Sequence, residues 1–231
     1  LPQALQVGPP FIQLPFPLEE CVHEFLPGRS LPGRTRALAV AARREEVEKK
    51  LASLAAAGLD PVVLDHEGLA LWTESLRQAP PGRGEEAWLR VVVNLHGEQS
   101  SLVAGRGEEF LGAHGIRPGD AAQVRRILKL YQPADAPRPS VKWMWVGPGA
   151  GESAFPADLA REWTGSSQVL EEPGTFLARA IATRALTPGP LRCNLRTGAL
   201  VHPDMAAREK RRAGLAAAVF LAAGLVLCSF N

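Results

Sequence analysis

The chain has 231 residues, with 26 Lys+Arg against 24 Asp+Glu and a net charge of +2. A balance this close to neutral excludes a chain-wide electrostatic grip on nucleic acid, so no nucleic-acid partner is expected. Hydrophobic residues make up 46%, enough for the core of one large domain or two small ones. Cys21, Cys193 and Cys228 are far apart and form no CxxC pair. That excludes a zinc site of the usual spacing and fits a reducing compartment.

The first 20 residues, LPQALQVGPPFIQLPFPLEE, hold prolines at 2, 9, 10, 15 and 17. No apolar signal-peptide core can form there, and the absent initiator Met points to a start inside a longer protein. LAVAA (38–42) reads as a short strand. RREEVEKKLASLAAA (43–57) reads as an amphipathic helix, with Val47, Leu51 and Leu54 on one face. PVVL (61–64) predicts a second strand, and Glu67 to Leu76 another helix that buries Leu69, Leu71, Trp72 and Leu76. After the Pro/Gly break APPGRG (79–84), WLRVVVNL (88–95) predicts a buried strand. Strands at Ser100–Ala104 and Phe110–His114 complete a meander. Asp120 to Tyr131 predicts a helix with Val124, Ile127, Leu128 and Tyr131 inward. QPADAPRPS (132–140) reads as a connection. VKWMWV (141–146) reads as a strand and GPGAG (147–151) as a turn, with helices at Phe155–Thr164 and Gly174–Leu186. Strands alternating with helices predict an α/β fold.

Residues 213–230, AGLAAAVFLAAGLVLCSF, carry no charge and follow the basic run Arg208, Lys210, Arg211, Arg212. A span needs about 20 apolar residues. A core helix would show a polar stripe, and none is visible. The expectation is a single transmembrane helix at 213–230, a juxtamembrane linker at 187–212 and a main domain at 1–186 kept cytoplasmic by the basic run.

The order of these pieces resembles a known family. LAVAARREEVEKKLASLAAAGLDPVVLDHEGLAL (38–71), preceded by LPFPLEE (14–20), is similar to the actin-like cytoplasmic proteins of type IV pilus and type II secretion inner-membrane platforms, the PilM and GspL type. VVVNLHGEQSSLVAGRGEEFLGAHGI (91–116) looks like the family's phosphate-side hairpin, and VKWMWVGPGAG (141–151) like its late strand and adenosine loop. CNLRTGAL (193–200) is similar to the Asn-Leu juxtamembrane motif. The resemblance implies an actin-like, RNase H-like mixed sheet with flanking helices, incomplete here, in a protein of the bacterial inner membrane. It implies platform subunits and the assembly ATPase as partners and leaves a homodimer open.

It also implies where ATP would sit: Asn94, Gly97, Ser100 and Ser101 on the hairpin, and Gly147, Gly149 and Gly151 on the loop. The pattern departs from the family at Asn94-Leu95-His96, where members with a working site carry Asp-x-Gly. Asn94 lacks the carboxylate that a hard cation prefers, and His96 obstructs backbone approach to phosphate. The first phosphate loop is absent or incomplete. The expectation is therefore a degenerate nucleotide site, no catalytic or metal residue and no required cofactor, in a membrane-anchored scaffold. A nucleotide-binding actin-like ATPase is the alternative. A cell-division anchor is a weaker one, because such anchors use an amphipathic helix.

The glycine loop is equally a plain strand-to-helix turn. Ser100 and Ser101 read as edge-strand residues, and His96 as a solvated turn residue. Trp143 and Trp145 share one strand face, either core or an exposed partner patch. By resemblance, Asn194 and Leu195 dock in a groove of the domain, in cis; otherwise they lie in an unstructured tether.

Overall fold

The computed structural model describes residues 17–31, 34–132, 140–151, 155–170, 174–186 and 191–207. The expected span at 213–230 and most of the 132–140 connection lie outside the described residues. Among the described residues, no helix is long and apolar enough to cross a membrane.

The chain divides into two units. The first gathers Leu1–Phe25, Leu38–Leu64 and Cys193–Asn231; the second gathers Leu26–Ala37 and Asp65–Arg192. Strands β1 (Cys21–Leu31) and β2 (Arg34–Arg43) form a two-stranded sheet whose residues are shared between the two divisions. No element was expected at β1, where Pro27 and Gly28 interrupt the strand pattern. A two-stranded sheet is all edge and tolerates Pro. In the first unit, α1 (Arg44–Ala56) follows β2 and buries Val47, while its Glu and Lys side chains stay exposed. Cys21, Val22, Val40, Cys193 and Leu195 are also buried in this unit.

The segment 61–64 is not a strand, contrary to its sequence pattern. Pro61 has no N–H to give a ladder. Leu64 donates its N–H to the side-chain oxygen of Asn194 rather than to a backbone carbonyl.

The second unit is built on a five-stranded sheet in the order β5-β4-β3-β6-β7. These strands are β3 (Leu89–Asn94), β4 (Ser101–Arg106), β5 (Glu109–Gly115), β6 (Val141–Val146) and β7 (Gly165–Val169). β3, β4 and β5 form the expected antiparallel meander, while β6 and β7 add in parallel, with Asn94 opposite Val146. β7 (GSSQV) is exposed at every position and holds one apolar side chain, Val169, so no hydrophobic pattern announced it.

Both faces of the sheet are covered, and alternation along each strand divides the core. On one face Leu89, Val91, Val93, Trp143 and Trp145 pack with α3 (Ala121–Leu130) and α4 (Phe155–Glu162) through Val124, Leu128 and Leu159. On the other, Val92, Val103, Met144 and Val146 pack with α2 (Glu67–Gln78) and α5 (Phe176–Leu186) through Leu71, Trp72 and Phe176. Trp143 and Trp145 are 1% and 0% exposed, so they are core and not a partner patch. Their rings stack at 5.3 Å, and the Trp145 indole N–H donates to Ser167 Oγ at 2.8 Å. At Gly105 a Cβ would lie 2.2 Å from the Trp72 ring, beside the register shift between β4 and β5. Only glycine lets that strand pass over the indole.

Candidate functional site

Two places carry the residues singled out in the sequence, one in each unit. In the second unit, β3 ends at Asn94, buried at 3% exposure. Its Nδ2 donates to Glu67 Oε1 at 3.1 Å, and Ser101 Oγ donates to the same oxygen at 2.7 Å. Glu67 sits at the start of α2, where His66 caps the helix by accepting the Gly68 N–H at 3.0 Å on Nδ1. Burial holds the His66 imidazole below the ordinary histidine range. The sequence did not single out Glu67. Its only signal was an acidic residue at a helix start, which usually serves the helix dipole.

The turn after β3 closes on itself. Ser100 Oγ donates to the Gly97 carbonyl at 2.7 Å and accepts the His96 N–H at 3.1 Å. Ser100 is buried, and β4 lies inside the sheet, so the two serines are not on an edge strand. His96 is exposed, as a turn histidine should be. The glycine loop after β6 packs against the same strand end. A Cβ on Gly147 would fall 2.5 Å from the Leu95 carbonyl oxygen and 2.6 Å from Asn94 Oδ1, and its φ is +91°. Gly149 donates its N–H to the Leu95 carbonyl at 3.1 Å. Gly151 is exposed with open space around it.

The structure thus brings Asn94, Ser100, Ser101, Gly147 and Gly149 to one end of the sheet. The polar groups there are already committed: both hydroxyls and the Asn94 carboxamide hydrogen bond within the protein. Ser100 and Ser101 also line an open cavity of about 530 Å³ with His66, Glu67, His114 and Arg117. Asn94, Gly97 and the glycine loop do not line it. His114 meets the Tyr131 hydroxyl at 2.5 Å; burial lowers the His114 pKa and raises that of Tyr131. Among the described residues, no group of three or more His, Cys, Asp or Glu could hold a metal ion.

In the first unit the segment 193–196 is ordered against 60–64. Asn194 Oδ1 accepts the N–H of Leu64 at 3.0 Å and that of Arg196 at 3.1 Å. Leu195 donates its N–H to the Leu64 carbonyl at 2.8 Å, and its side chain is 5% exposed. The Asn194 N–H donates to the Glu24 carboxylate. A carboxamide here copies a β-bridge: one group accepts from the backbone while the next residue donates to it.

Residues 12–103, under half of the chain, match the family described as type IV pilus assembly protein PilM. The resemblance to the PilM-type actin-like proteins holds. A solved "PilM-PilN type IV pilus biogenesis complex" matches with a TM-score of 0.57 at 21% identity, over 76% of this chain and 69% of that one. At that identity it shows a shared fold, a mixed sheet with flanking helices. A Bacteroides thetaiotaomicron protein with an actin-like ATPase fold aligns at 4% identity over 70% of this chain and 59% of that one, with a TM-score of 0.39. Among curated proteins none matches the chain.

Proposed function

We propose that this chain is a docking component of a type IV pilus assembly platform, acting by holding partners and not by nucleotide chemistry. The observation that carries this reading is the seating of Asn194 and Leu195 on the backbone of Leu64. The sequence match is to a pilus assembly family, and the structural match is to a complex of two pilus proteins. The partners proposed are neighbouring inner-membrane platform subunits and the assembly ATPase. The proposed anchor is the apolar segment 213–230, which places the main domain on the cytoplasmic side of a bacterial inner membrane. The comparisons bring in the pilus side of the family only, so a place in type II secretion is not carried forward.

The rival reading is an actin-like ATPase. Three features of the sheet end weigh against it. Asn94 offers a neutral carboxamide where Mg²⁺ and its waters would want a carboxylate. Glu67 puts a carboxylate beside the hairpin, where a triphosphate would meet like charge. The serine hydroxyls are spent on Glu67 and on the turn. The test is calorimetric titration of ATP into the full chain, with and without Mg²⁺. The docking reading expects no saturable Mg²⁺-dependent binding; micromolar Mg²⁺-dependent affinity would replace it with the ATPase reading.

A further inference from the structure

The contacts that hold Asn194 continue to Asp60 and Pro61. Arg196 follows Asn194 by two positions, and its Nη1 donates to Asp60 Oδ1 at 2.6 Å and to the Pro61 carbonyl. Its Nε donates to the Leu200 carbonyl at 2.8 Å, closing the segment on itself. The Arg196 side chain is 9% exposed, although Asp60 is 61% exposed. His202 Nε2 lies 3.1 Å from the other Asp60 oxygen. Each acceptor around the guanidinium therefore comes either from residues 60–61 or from the segment itself.

We infer that residues 60–64, with Glu24, form a peptide groove that reads a carboxamide, an apolar side chain and a guanidinium in succession, with Asp60 the specificity-determining residue for the third. The inference rests on the docking reading above and names its chemistry: the occupant is the chain's own Asn194-Leu195-Arg196. An exposed ion pair alone would contribute little. Here the fork of Arg196 also serves a backbone carbonyl, and its own side chain is nearly out of water although Asp60 is not, which a single exposed charge cannot reproduce. An apolar residue in its place would leave the Pro61 carbonyl without this donor and the Asp60 carboxylate without its closest cation. The same pairing holds Asp60 below the usual carboxylate range, first through the hydrogen bond from Arg196.

The test is residue-resolved amide exchange on the full chain, reading Leu64, whose N–H donates to Asn194 of the docked segment, and Leu195, whose N–H donates back to the Leu64 carbonyl. Arg196→Leu and Asp60→Asn should each speed both amides by about tenfold or more, as loss of a charge-assisted hydrogen bond does. Arg196→Lys should lie between, and the sheet amides of Val92 and Val103 should not change. Wild-type exchange rates in both Arg196→Leu and Asp60→Asn would overturn the specificity assignment while leaving docking intact. Open-chain rates for Leu64 and Leu195 in the wild type would overturn docking and this inference together. Protection that rises with protein concentration would assign the occupant to a second copy and overturn the assignment in cis.

Discussion

Asn194 Oδ1 accepts the Leu64 backbone N–H at 3.0 Å across 130 residues of chain. That one oxygen also accepts the Arg196 N–H, so it sets the position of the segment and its local turn together. The oxygen, and not the amide nitrogen, does this work. Asn194→Asp should keep most of the docking because an acceptor remains. Asn194→Ala should weaken it by about 1–3 kcal/mol, the cost of leaving a part-buried N–H unpaired. Amide exchange at Leu64 and Arg196 separates the two variants.

Asn94 and Glu67 show the opposite dependence on charge. Asn94→Asp, which restores the carboxylate of the family pattern, removes the Nδ2 donor from Glu67 and sets two carboxylates together. The expected loss is about 1–3 kcal/mol at neutral pH. A like charge so near raises the pKa of the pair, and one shared proton relieves the repulsion. The deficit relative to wild type should therefore shrink in urea unfolding at pH 5 and be largest at pH 7 or above.

The strand Val141–Val146 reads clearly in the sequence, and Trp143 with Trp145 on one face reads clearly too. Whether that face was core or a partner surface did not, because alternation gives a face and not what covers it. The covering residues, Val124 and Leu128 of α3 and Leu159 of α4, come from separate stretches of chain. Asn194 was singled out by its motif, but Glu67 was not, because its role depends on a meeting with Asn94 and Ser101 that no local spacing encodes. β7 holds a single apolar residue, Val169, and the sequence of β1 is interrupted by Pro27 and Gly28, so neither shows a strand pattern. The apolar run at 61–64 has a strand pattern but forms none, because Leu64 pairs with the Asn194 side chain and not with a neighbouring strand.

Core packing makes its own prediction. Trp143→Ala should destabilise the chain by about 3–5 kcal/mol, the usual cost of truncating a buried aromatic. Loss of the stacked Trp145 contact adds to the cavity. Urea unfolding followed by circular dichroism checks it. An effect under about 1 kcal/mol would mean that the face is not buried.

His66 and His114 are both held neutral by burial, with pKa values lowered from the ordinary range. In the unfolded chain they protonate near pH 6.5. Between that value and their lowered folded values the unfolded state binds more protons, so stability falls as pH is lowered through this window and is fully present above it. Urea midpoints should drop between pH 7.5 and 5.5. The drop should be smaller in His66→Gln and His114→Gln chains, which have one titrating imidazole fewer.

The measurement that bears most directly on the central claim is pilus assembly in cells whose only copy of this chain is altered at one of the two places. A chain with Asn194→Ala and Leu195→Ala should accumulate normally and leave cells without pili, because docking is lost. A chain with Asn94→Ala should still support pili, because the proposed function asks no nucleotide of the end of β3. Pili on the first cells and none on the second, with both proteins present at wild-type level, would contradict the account and return the function to the hairpin.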